Sequence, residues 1–133
     1  MDHISTIISI LIVILLLSIW CMRKFIPQNA DFWMAMNLIL AERGKYELAI
    51  KCCDRTVKLY PFYVHAWNNK GFSLYQLGEY DKALECFDEA LNLNPQFAES
   101  WHNKGLALQK LDRSKEADEA FLKADTLSRE NVM

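Results

Sequence analysis

A period of 34 residues runs through the chain beyond Pro27 and constrains its fold more than any other feature. Trp33, Trp67 and Trp101 are in phase, as are Leu40, Leu74 and Leu108, then Ala49, Ala83 and Ala117, then Leu59, Leu93 and Leu127. Two more columns, Gly71 with Gly105 and Phe87 with Phe121, hold in the later copies, and Pro61 and Pro95 end the first two. So many columns at one spacing mark stacked supersecondary units, none of which can bury its apolar face alone.

Each unit reads as two short helices. The first carries Trp, then Gly or Asn four residues later, then Leu, all on one helical face. A turn follows at Gly44-Lys45, Gly78-Glu79 and Asp112-Arg113. The second carries Ala, a bulky residue four later, Ala or Thr three later, and Leu, again on one face. Small residues let the two helices approach closely while Trp and Phe fill the space between them. Proline then ends the second helix, because it cannot continue the hydrogen bonding.

Quoted as it stands, the second unit is AWNNKGFSLYQLGEYDKALECFDEALNLNP and the third begins SWHNKGLALQKLDRSKEADEAFLKA. These residues resemble the tetratricopeptide repeat family, over Ala30 to about Asn131. The boundaries expected are 30–63, 64–97 and 98–131. The first unit departs from the pattern: Asn37 stands where the packing glycine is usual, Cys53 where the aromatic is usual and Thr56 where alanine is usual. It is therefore expected to pack less tightly or at a different angle. The resemblance implies an all-α solenoid of antiparallel helix pairs in a right-handed superhelix, with a concave face built from each first helix.

That face is expected to bind another protein, as an extended peptide or an amphipathic helix. Its candidate residues are Met34 and Leu38 in the first unit, His65, Asn68, Asn69, Phe72 and Tyr75 in the second, and His102, Asn103 and Leu106 in the third. Met34, Leu38 and Phe72 are the apolar anchors, with leaning on a membrane as the rival role for the first unit. Asn69 and Asn103 read better as helix-packing residues. A familiar use of the family is a clamp of Lys, Asn and Arg that grips chaperone carboxylates. Only Asn69 fits it: Met34, Leu38, Glu99 and Asn103 stand at the other clamp positions, and Glu99 would repel a carboxylate.

Ahead of the repeats, Ile4 to Met22 reads ISTIISILIVILLLSIWCM without a charge. As a helix the run spans roughly 28 Å, about the hydrocarbon thickness of a bilayer. Its hydroxyls can bond back to helix carbonyls, and Trp20 stands where an interfacial aromatic belongs. Arg23 and Lys24 end the run. The expected organisation is a transmembrane anchor over residues 1–24, a short linker over 25–29 and a cytoplasmic repeat region, since the positive flank stays inside and the N-terminus goes outside. The alternative is an exported soluble adaptor after signal-peptide cleavage. Against it, Met1-Asp2-His3 gives no basic start, and bulky Ile19 and Trp20 precede Cys21.

Net charge is -2 and basic and acidic residues are mixed, which argues against nucleic acid. The apolar fraction of 52% owes its excess to the first two dozen residues. Cys21, Cys52, Cys53 and Cys86 include no C-x-x-C pair and read as free thiols. His65, His102 and Glu99 imitate a metal site only weakly, and no catalytic motif stands out, so neither enzyme activity nor a cofactor is expected. Self-association through the last helix, KEADEAFLKADTLSRE, is a further expectation, because repeat arrays expose apolar surface at uncapped ends.

Overall fold

The computed structural model describes residues 2–24 and 29–131, with side chains from His3 to Cys21 and from Asn29 onward. Most of the expected linker, 25–29, therefore lies outside the described residues, as do Pro27 and the last two residues. The described residues form seven helices and no strand: α1 (Asp2–Lys24), α2 (Ala30–Glu42), α3 (Tyr46–Leu59), α4 (Val64–Gln76), α5 (Tyr80–Leu93), α6 (Ala98–Lys110) and α7 (Ser114–Glu130). Consecutive helices from α2 to α7 pack pairwise, and α2 touches α4 as α4 touches α6. This is the stacked arrangement the 34-residue period requires.

The turns inside the units occupy left-handed backbone. Gly44 and Gly78 have φ of 69° and 81°, and Asp112 takes the same role at 58°. Glycine adopts this region freely, and aspartate tolerates it better than most side chains. The Trp and Pro columns turn out to be one interaction. The Trp67 indole Nε1 donates to the Pro61 carbonyl at 3.1 Å, and Trp101 Nε1 to the Pro95 carbonyl at 2.8 Å, so each tryptophan ties its helix to the loop before it.

The core follows the small-to-large pairing of the repeat. A Cβ added to Gly71 would sit 2.6 Å from Phe87 Cε1, and one on Gly105 2.6 Å from Phe121 Cε1. The glycines are thus the space in which the rings lie. In the first unit the volume is redistributed. Asn37, 1% exposed, donates from Nδ2 to the Ala49 carbonyl and to Cys53 Sγ, both at 3.1 Å, and Cys53 is fully buried. The larger amide on one helix meets the smaller thiol on the other.

The α1 helix packs against none of the other described helices. Its stretch His3–Cys21 is long and apolar enough to cross a membrane. The Ser9 and Ser18 hydroxyls donate to the carbonyls of Ser5 and Leu15 at 2.9 and 2.8 Å, and Thr6 to His3 at 2.9 Å, so no hydroxyl among them needs a partner from outside the helix.

Candidate functional site

The first helices of units one and two enclose an open cleft of about 470 Å³. Leu38, Ala41 and Phe72 give its lining apolar surface, Asn37, Asn69 and Ser73 are neutral polar members, and Glu42, Glu99 and Tyr46 complete it. Leu38 is 55% and Phe72 38% exposed, so two large apolar side chains face solvent in one depression. Asn69 Nδ2 is held by Asn37 Oδ1 at 3.1 Å. Ser73 is fully buried and its Oγ has no hydrogen-bond partner. A buried unpaired hydroxyl costs about 1–3 kcal/mol, which makes it the unsatisfied group of the cleft.

Three of the expected groove residues, Met34, Asn68 and Asn103, are buried and do not line the groove. Met34 is buried, at 8% exposed, and Asn68 at 1%. Both occupy the same position of the repeat, one turn before the residues that face the groove, where a following unit can cover them. Asn68 shows how: its Oδ1 accepts from Ser100 Oγ at 2.9 Å and from Asn103 Nδ2 at 3.1 Å, and its Nδ2 donates to Glu99 Oε1 at 2.8 Å. All three partners are on α6. Asn103 is buried with it, as the packing reading of that residue expected. The third residue of this column, His102, stays exposed and lies 5.4 Å from the Phe121 ring.

The remaining candidates are split between packing and surface. Tyr75 is half-buried with its ring 5.4 Å from that of Tyr80, and Leu106 is half-buried. His65 is exposed and meets Phe97 edge-on at 4.9 Å. Among the described residues no three His, Cys, Asp or Glu side chains gather as a metal set. Ala41, Glu42, Tyr46 and Ser73 were not among the sequence candidates. Tyr46 shares a column with Tyr80, and Ser73 one with Ile39 and Ala107, so no residue type in those columns announced a groove position.

The buried cysteines carry no chemistry at ordinary pH. Burial pushes the Cys53 thiol up to about 12, with the neighbouring Cys52 and Asp54 adding to the effect and Lys70 opposing it. Cys86 is pushed up to about 11, again mainly by burial. Both stay protonated and unreactive.

Two tetratricopeptide repeat models match the sequence, at residues 64–97 and 86–119. No curated protein matches it. Among solved structures, the second such repeat domain of Spaghetti (RPAP3) bound to the HSP90 peptide SRMEEVD is similar at 22% identity. The match covers 75% of this chain and 93% of that one, with a TM-score of 0.73. The first repeat domain of the same protein, bound to the same peptide, aligns at 21% identity over 75% of this chain and 79% of that one, with a TM-score of 0.73. The crystal structure of MamA aligns at 23% identity over 79% of this chain, again with a TM-score of 0.73, and this chain spans 61% of it. At these identities the likeness is one of fold. With the helix pairs, the glycine–aromatic contacts and the tryptophan-tied loops in place, residues 64–119 match the tetratricopeptide repeat family and the described repeats share its fold.

Proposed function

We propose that this protein is a membrane-tethered interaction module, in which α1 crosses the bilayer and the repeats stand in the cytoplasm, holding a partner's peptide or helix in the cleft between units one and two. The observation that carries the reading is the pairing of exposed Leu38 and Phe72 in one cleft. An apolar anchor on the partner would cover the two side chains. Tethering near the bilayer raises the local concentration of the cleft toward membrane-bound partners.

The two acidic residues of the cleft select among ligands. Glu42 and Glu99 stand where an incoming carboxylate would meet like charge, so a tail such as the SRMEEVD of the RPAP3 complexes is a poor fit. A segment with an apolar residue flanked by Lys or Arg suits the cleft better. On α7, Asp118 and Asp125 hold the columns that Ile50 with Leu84 and Val57 with Leu91 fill in the inner units, so a second copy approaching that face would meet charge.

The test is cross-linking and pull-down from native membranes with the intact chain and with a Phe72→Glu variant whose fold is checked by circular dichroism. A partner captured by the first and lost by the second supports the cleft. A partner retained by both moves the binding site to another face. The mass of the mature chain separates the anchored form from the exported one, which would lack its first twenty or so residues.

A further inference from the structure

The loop after α3 and the outer face of that helix differ from their counterparts in a way the repeat frame does not require. The loop reads Tyr60-Pro61-Phe62-Tyr63, where the next one reads Asn94-Pro95-Gln96-Phe97. Phe62 is 82% exposed, far more than any other aromatic of the repeats, and Tyr60 is exposed as well. Approaching this loop along α3, Lys51, Arg55 and Lys58 follow at helical spacing and are all exposed. The same positions of α5 hold Glu85, Glu89 and Asn92, and those of α7 hold Glu119, Lys123 and Thr126. Only the unit next to α1 carries a fully basic stripe ending in exposed aromatics.

The topology sets this edge beside the tether. α2 and α3 are antiparallel, so the end of α3 lies next to the start of α2, as the Arg55 guanidinium over the Trp33 ring at 5.9 Å shows. The first turn of α2 adds Phe32, exposed, where the later units have buried Ala66 and Ser100. α2 begins at Ala30 and α1 ends at Lys24, so the start of α2 stays within about 20 Å of the end of α1 even with the intervening residues fully extended. Asp31 is the acidic residue of that first turn.

We infer that this edge of unit one is a second membrane contact, docking on the anionic phospholipid surface beside the anchor. Phe62, Phe32 and Tyr60 enter the interfacial layer, where aromatic rings are favoured, and Lys58 and Arg55 meet lipid phosphates and carboxylates. Lys51 lies about 10 Å farther along the helix, still near the screening length of the surface field. The inference rests on the anchor reading of α1. It adds that the array is held at one orientation and does not swing freely on its linker.

Photo-cross-linking on the full chain tests it, with p-benzoylphenylalanine in place of either Phe62 or Gln96. The chain is reconstituted in vesicles of phosphatidylcholine alone, or of phosphatidylcholine and phosphatidylserine at about two to one, a mixture with a negative surface potential. Lipid adducts should form from position 62 and not from position 96, with higher yield on the anionic vesicles. A Lys58→Ala change should weaken docking about fivefold, the worth of one basic residue near such a surface. Extraction with alkaline carbonate reads the anchor separately. A chain that resists extraction but yields no lipid adduct at position 62, equal adducts on both vesicles, or adducts only to protein, overturns the inference and leaves the anchor standing. A chain that carbonate releases overturns both.

Discussion

Units one and two share a frame and fill it by opposite means. In unit two a glycine on α4 receives the Phe87 ring of α5; in unit one an asparagine on α2 reaches a cysteine on α3. The contrast extends to the seams. Between units two and three, buried Asn68 joins three polar groups of α6, whereas in unit one the same position is apolar Met34, and the column of Ser100 holds apolar Ala66 in unit two. A repeat frame therefore prescribes how much volume a position holds and which helices meet there. It leaves open whether apolar contact or hydrogen bonding does the holding, provided both sides of the contact change together.

The largest effect expected is at the ring. Phe87→Ala should lower stability by about 3–5 kcal/mol, since the side chain is fully buried and its loss leaves a cavity against Gly71. Chemical denaturation of the full chain in detergent, followed by circular dichroism, measures it. Transplanting the first unit's solution sharpens the comparison. Gly71→Asn with Phe87→Cys should lose less than the sum of the two single changes, by about 0.5–3 kcal/mol in a double-mutant cycle. Additive losses would mean that the pair in unit one depends on more than its two members.

The polar seam is next. Asn68→Ala strips partners from Ser100, Asn103 and Glu99 and should cost about 1–3 kcal/mol, as read by the denaturation midpoint. The glycines themselves should differ. Gly71→Ala crowds a fully buried ring and is expected to cost about 1–3 kcal/mol, and Gly105→Ala less, because half-buried Phe121 has room to move outward. Equal losses would show that both rings are held alike.

Alkaline pH probes the thiol that replaces the ring. The Cys53 pKa is raised from 9.0 to about 12, so the folded state holds this proton more tightly than the unfolded chain. Its contribution is complete below pH 9 and fades as pH rises toward 12. Cys53→Ala should remove that part of the alkaline decline in the denaturation midpoint. The smallest effect is expected at the charged link of the first seam. Lys70 meets Asp54 at 2.7 Å, but Asp54 is half-exposed, and Lys70→Ala should cost about 0.2–1 kcal/mol.

The sequence by itself determined the helix pairs, the turns and the stacking, because those follow from the 34-residue spacing of Trp, Gly, Ala, Leu and Pro, and such columns depend on local geometry. It also showed the apolar run that α1 forms, and it named two exposed side chains that line the cleft, Leu38 and Phe72. Tertiary structure alone decided which side of the first helices is open. Met34 and Asn68 lie only one helical turn from those side chains, yet both are buried, and a covered face cannot be told from a bare one by periodicity when both have the same spacing. Glu99 was legible as an acidic groove residue, but Glu42 beside it and the unpaired Ser73 hydroxyl were hidden, since a cleft is made where separate helices meet and belongs to no single stretch of chain.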